Sequence, residues 1–379
     1  MLYKKNYKDV MRRQAAFWNR RMPEKVLARI YVKNPPFEGW LNEHGPNIPI
    51  TMDGLPDKEL VIDLWDHKLR NLAELEDDSL PVMLPNEFDE GLYAGVFGQE
   101  VIGCFDNEAG WFSSMGKPFL DDYSGLDELH LDMNCPILQE LKSRLDYYRQ
   151  FADGKFGLSP VITIDSLNLA VLLRGAQQAM MDQYDYPDEL VRLFEFALEV
   201  NIKLLNYQQE LMGSFENGTF DGYAAFGGWF EGKHVNISVD AYGMCSPEVF
   251  EKIGFNYSQR LIDAFGSGFL HIHGNAHHLL PQAVKLKGLK AIRIVDEAPH
   301  PFPRLREIKE ITGDMPLLTD CMLDEFIEAM DSGTLVGGVF YVIRGHKEGR
   351  SAFQSPVFDT IDEADNLMEK IRNYTDSTV

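Results

Sequence analysis

With 379 residues, 45% of them hydrophobic, the chain can bury a large core, and its length fits one big α/β domain or two smaller ones. Its 59 Asp+Glu against 36 Lys+Arg give a net charge of −23, which disfavours nucleic acid, anionic membranes and bulk polyanionic substrates as partners. No run approaches the ~18 consecutive apolar residues of a membrane helix. The basic start (Lys4, Lys5) has no apolar segment behind it, so no signal peptide is expected. Four scattered cysteines (Cys104, Cys135, Cys245 and Cys321) point to a reducing cytoplasm rather than a disulfide scaffold.

In chain order, short β-branched runs alternate with longer helical patterns. Eight strands are predicted, at 26–32, 81–84, 160–164, 234–239, 268–273, 290–295, 315–319 and 338–343. Most are near-continuous apolar runs, as expected of parallel strands covered on both faces. Between them, Pro187 opens a helix predicted over 187–211. Ser246-Pro247-Glu248 reads as N-cap, N1 and first-turn acid of another, followed at helical spacing by Val249, Ile253, Tyr257, Leu261 and Ala264. Further helices are predicted at 279–284 and 324–330, and Thr360 with Glu363 forms a capping box that opens the last one.

Eight β/α units in this length fit a (β/α)8 TIM barrel, an α/β fold, as a single domain over 1–379. A doubly wound sheet is the alternative, but the Gly-x-Gly-x-x-Gly turn expected after its first strand is absent. Residues 1–25 form an N-terminal helical extension. The long segment 88–132, rich in aromatics, is expected to be an insertion over the barrel mouth.

In such barrels, chemistry sits at the C-terminal ends of the strands. Here those ends carry Asn86 and Glu87, then Asp165, then Asp240 and Tyr242. Next come His271 and His273, Asp296 and Glu297, Asp320 and Cys321, and finally Arg344 and His346. A lone acid after a strand is more often a helix N-cap than a catalyst, and Asp165 and Asp320 carry that discount. His271 and His273, at i and i+2 on one strand, point to the same face and suit a metal or proton transfer; a hydrogen-bonded structural pair is the plain alternative. A third metal ligand is then expected from Cys321 or His346.

Three stretches resemble the uroporphyrinogen decarboxylase superfamily, which includes cobalamin-linked methyltransferases: LAVLLRG at 169–175 with MDQYDYP at 181–187, CSPEVF at 245–250, and HIHGN at 271–275. Their order and spacing are similar to the family's from about Lys25 onward. The resemblance implies a (β/α)8 barrel. In the methyltransferase branch a His-x-Cys pair and a distant Cys hold zinc that activates a thiol. By resemblance the matching positions are His271, His273 and His346. The decarboxylase branch binds substrate carboxylates through an arginine-bearing loop at the first strand. Met11-Arg12-Arg13-Gln14 only superficially resembles that loop, because it lies upstream of the predicted strand.

The resemblance therefore implies a methyltransferase-like enzyme. It is expected to use zinc at His271, His273 and His346, with methylcobalamin or a corrinoid protein as methyl carrier. Asp240, Tyr242, Asp296 and Glu297 are the expected catalytic groups; Asn86, Glu87, Trp111, Cys321 and Arg344 are expected to contact a small substrate. The alternatives are a metal-free decarboxylase or lyase and a non-catalytic binding barrel. A homodimer is expected only from the general preference of soluble oligomers for two-fold symmetry.

Overall fold

The computed structural model describes residues 1–45, 48, 54–107, 109–223, 227–295, 300–345 and 356–374. Its strands are β1 (Leu27–Ile30), β2 (Val82–Met83), β3 (Ile102–Asp106), β4 (Trp111–Met115), β5 (Gly157–Leu158), β6 (Thr163–Ile164), β7 (Gly218–Asp221) and β8 (Gly228–Glu231). They continue as β9 (Val235–Ser238), β10 (Gly268–Ile272), β11 (Leu289–Ile294), β12 (Leu317–Met322) and β13 (Val339–Arg344). Among the described residues, one all-parallel sheet runs β1-β13-β12-β11-β10-β9-β6. A second parallel pair, β2–β5, sits where the chain enters β6. Each of the eight predicted strands is matched, giving the expected α/β architecture with helices around the strands. The run predicted at 160–164 is regular only at 163–164. Pro160 has no N–H to donate, and Val161 N donates to the Gln208 side chain instead of to a strand.

Between β1 and β2 the described residues show carboxylates in place of a backbone ladder. Asp78 N donates to Ala28 O at 2.8 Å, while the side chains of Asp78 and Asp77 accept from Ala28 N and Ile30 N, each at 3.1 Å. Both acids are fully buried and both are compensated, as buried charges must be. Lys4 Nζ reaches Asp77 at 2.6 Å, and Arg13 and Arg372 converge on Asp78 at 2.7 Å. The N-terminal helix (Tyr7–Trp18) thus lies at the strand starts, and the arginines near 12 are kept away from the mouth.

Pleating separates two cores. Leu27, Phe269, Ala291, Leu318 and Phe340 face inward at the strand starts and pack with Phe17, Trp18 and Phe230. Trp18 stacks on Phe230 and Phe340, with ring centroids 5.2 and 6.0 Å away. The alternate residues, such as Leu270, Ile272, Ile292, Ile294, Leu317 and Cys321, face the helices. The helix expected after Ser246 is a single α-turn that passes into a π-turn at Phe250–Gly254 before Phe255–Phe265 continues. That extra residue per turn buries Phe250, Gly254 and Ser258 alongside the expected Tyr257 and Leu261. No helix among the described residues is long and apolar enough to cross a membrane.

Candidate active site at the ends of β9 and β10

The alternation that sends Phe269 inward sends His271 inward one layer higher, and His273 follows just past the end of β10. His271 is the register partner of Ser238 on β9 and of Arg293 on β11. Its ring meets Tyr223 edge-to-face with centroids 4.8 Å apart. His271 Nε2 lies 3.4 Å from His273 Nε2, and His273 Nε2 lies 3.4 Å from Asp240 Oδ1. Ser238 donates its hydroxyl to Asp240 Oδ2 at 2.6 Å. One ligand atom from each of Asp240, His271 and His273 falls within 4.8 Å of the others. His271 is 5% exposed, while His273 and Asp240 are half-buried and open to the mouth.

Burial pushes the His271 pKa down to about 3, with Asp240 opposing the shift and His273 and Arg293 adding to it. The imidazole is therefore neutral at physiological pH. Burial works against the Asp240 carboxylate, but the His273 hydrogen bond, the two imidazoles and the Ser238 hydroxyl together hold it below the usual carboxylate range. Two acids of the segment after β2 face this cluster. Burial, then Glu90, raises Asp89 to about 7; burial, then Asp240, raises Glu90. Burial and the carboxylates of Asp240, Asp89 and Glu90 keep the Tyr223 phenol protonated.

The other predicted residues are spread more widely. Glu87 is buried, accepting from Tyr148 Oη at 2.7 Å with Arg144 3.7 Å away; Asn86 donates to Phe112 O. Asn86 thereby anchors the segment 88–132, which forms the β3–β4 hairpin and short helices, while Glu87 is tied to the helix Pro136–Ala152. Trp111 packs beside Trp65 and Lys68. Tyr242 is fully buried against Phe250 in the helix-side core. Cys321 sits in that same core, on the opposite face of β12 from inward-pointing Asp320, so pleating turns it away from the histidines. Arg344 is buried at the end of β13. Asp296, Glu297 and His346 lie outside the described residues. The Arg174–Asp182 pair of the LRG stretch is a buried two-bond bridge at 2.7 and 3.1 Å joining neighbouring helices, so this part of the motif is structural.

Sequence reasoning missed Tyr223, Ser238, Glu90 and Arg293. Tyr223 follows a hairpin strand, where no periodicity marks it. Arg293 did carry a signal, because a charge in the middle of a buried parallel strand has to point into the barrel.

No protein-family model and no curated protein matches the chain. Among solved structures, a methyltransferase from Methanosarcina mazei is similar over 96% of this chain and 98% of its own, with a TM-score of 0.58 at 15% identity. A B12-independent methionine synthase from a Shewanella species, solved in complex with selenomethionine, aligns over 93% of this chain and 100% of its own, with a TM-score of 0.46 at 11% identity. Over nearly its whole length, the chain therefore has the fold of the Methanosarcina methyltransferase, the barrel its motifs had led us to expect.

Proposed function

We propose that this barrel is a methyltransferase-like enzyme of the uroporphyrinogen decarboxylase superfamily. In this reading Asp240, His271 and His273 hold a zinc ion, and a corrinoid protein carries the methyl group to or from a small substrate. The observation that carries it is the pair of 3.4 Å separations, His271 Nε2 to His273 Nε2 and His273 Nε2 to Asp240 Oδ1. Tetrahedral zinc with ligand bonds of about 2.0–2.1 Å has ligand–ligand edges of roughly 3.3 Å. Two imidazole nitrogens at that distance are also too far apart for a good hydrogen bond. The fold shared with a methyltransferase supports the reaction class, and the likeness of HIHGN to the superfamily's strand end supports the corrinoid partner.

When bound, zinc would lower the pKa of a coordinated acceptor group and hold it as a nucleophile. The chain's own residues supply the rest. His271 keeps its lone pair at any pH above about 3. Ser238 fixes the Asp240 carboxylate through its second oxygen. Asp89, poised near pH 7, can take the acceptor's proton at its carboxylate. Tyr223 walls the site with a hydroxyl that remains a donor.

Metal analysis of untagged protein by elemental mass spectrometry tests this. We expect about one zinc per chain, lost in the His271→Ala/His273→Ala double variant together with methyl transfer from methylcobalamin to small thiols. Metal in neither protein, and none taken up on titration, would leave a metal-free lyase. The Asp89 carboxyl near pH 7 beside a protonated Tyr223 favours that second reading.

A further inference from the structure

Beneath the strand-end cluster lies a second buried polar group that the proposed chemistry does not use. Asp221 ends β7, and Asn236 lies on β9 as the register partner of inward-facing Phe269. His234, just before β9, stacks face to face on Phe230 with ring centroids 3.6 Å apart. Asp221 and His234 are each 3% exposed. Asp221 Oδ1 accepts from Tyr223 N and Oδ2 from Asn236 Nδ2, both at 2.9 Å. His234 Nε2 lies 3.4 Å from the same Oδ2 but makes no hydrogen bond. Its Nδ1 is 3.0 Å from Ser267 Oγ, whose hydroxyl donates to Lys233 O at 3.0 Å. A serine hydroxyl has a single proton, so Nδ1 carries the ring hydrogen and Nε2 turns a lone pair toward the carboxylate. Burial lowers the pKa of His234 against the pull of Asp221, so the ring is neutral at physiological pH. Asn236 Oδ1 is also buried without a partner. All three residues line a cavity of about 20 Å³, room for a water-sized occupant. Among the described residues no Lys or Arg pairs with Asp221, and Lys290, whose charge acts on His234, gives its ammonium to Asn19 Oδ1 at 2.7 Å. A buried carboxylate with no counter-charge is costly.

We infer that this cavity binds a monovalent metal cation of sodium or potassium size, held by Asp221 Oδ2, Asn236 Oδ1 and His234 Nε2. A water can donate to two of these atoms, but it leaves the charge of the carboxylate unbalanced; a cation satisfies all three and cancels it. A divalent ion would leave the enclosure with excess positive charge, and magnesium keeps several waters that so small a volume cannot admit. The site is separate from the strand-end histidines and does not depend on a metal there. Its link to them is Tyr223. The Asp221 oxygen that does not face His234 holds the Tyr223 amide, and the Tyr223 ring lies edge-to-face on His271. The ion would fix Asp221 and, through it, one wall of the mouth.

The test is thermal unfolding of the full-length protein at constant ionic strength, with a chelator present to remove divalent metals. N-methylglucamine chloride, whose cation is too large for the cavity, is replaced stepwise by sodium chloride or by potassium chloride. With at least one of these salts Tm is expected to rise by a few degrees and to saturate, the half-point giving the affinity of the site. Asp221→Asn keeps the shape and removes the charge, and is expected to melt at the same temperature in every salt. Should Asp221→Asn fail to fold, nitrogen NMR of wild-type protein with isotope-labelled histidines decides the matter. In N-methylglucamine near neutral pH, His234 is expected to carry its proton on Nδ1 alone, and its Nε2 resonance is expected to move when the stabilising salt is added. Equal Tm of the wild type in all salts, or a salt response that survives Asp221→Asn, would overturn the proposal. So would a proton found on Nε2, because the ring itself would then supply the missing donor to Asp221 and the cavity would need no ion.

Discussion

His271 and Arg293 are register partners on adjacent parallel strands, so a neutral imidazole and a buried guanidinium share one wall of the barrel. Each influences the other. The arginine is one of the groups that disfavour protonation of the histidine, after burial, and the histidine keeps no charge that would repel the arginine.

Ser238 touches Asp240 on the oxygen that does not face His273, so it should act on metal affinity without being a ligand. Ser238→Ala is expected to weaken zinc binding about 10- to 100-fold, as other outer-shell partners do. Asp240→Ala should cost more than that. Competition titrations with a chelator give both numbers, and a serine variant indistinguishable from wild type would argue that Asp240 needs no orienting partner.

Asp165 caps the helix Ser166–Arg174 by accepting from Asn168 N at 2.8 Å, while its Oδ2 is buried without a partner. Burial raises its pKa to about 7, opposed by the cap hydrogen bonds and reinforced by Asp240. A folded-state pKa above the unfolded value near 3.8 means that the native state holds the proton more tightly. Its contribution to stability is therefore complete below about pH 4 and is lost as pH rises towards 7. Asn caps as well as Asp but carries no charge. Asp165→Asn should match wild type in urea unfolding near pH 4 and exceed it by on the order of 2–4 kcal/mol at pH 8. A constant difference across that range would show that the carboxyl titrates normally.

Asp78 carries Arg13, Arg372 and the Ala28 amide at the β1–β2 junction. Asp78→Ala strands two cations and one buried N–H, and a loss of about 3–5 kcal/mol is expected in denaturant unfolding. Asp9→Ala breaks only an exposed pair with Arg12 and should change stability by less than about 0.5 kcal/mol.

Lys68 stands among Trp65, Phe37 and Trp111, with its ammonium 4.8, 5.5 and 5.4 Å from their ring centroids. Burial, then Arg29, lowers its pKa to about 7, although the three rings favour the cation. Reaction with an acylating reagent, followed residue by residue by mass spectrometry, should titrate near pH 7 at Lys68 and near 10 at ordinary surface lysines. Opening the cage with Trp111→Ala should hydrate the ammonium and slow labelling at pH 7. A Lys68 profile that coincides with those of the surface lysines would show that the rings outweigh burial.

The sequence by itself determined eight strands that the structure matches, their parallel packing and the H-x-H strand end. Those rest on local rules: apolar runs for doubly covered strands, period-two alternation for His271 and His273, and a capping box at Thr360 that the structure reproduces. The charge at the centre of β11, Arg293, is a signal of the same local kind that the sequence reading passed over. Only tertiary structure decided which polar strand ends meet. A residue just past a strand is no longer bound to the pleat, so Asp240 turns to His273 while Tyr242, two residues on, enters the helix-side core beside Phe250. Glu87 is drawn off to Tyr148 and Arg144, elements distant in sequence, and Tyr223 arrives from a hairpin with no periodic signal. Cys321 was excluded by a one-residue parity that becomes legible only once inward-facing Asp320 fixes the register of β12 against its neighbours.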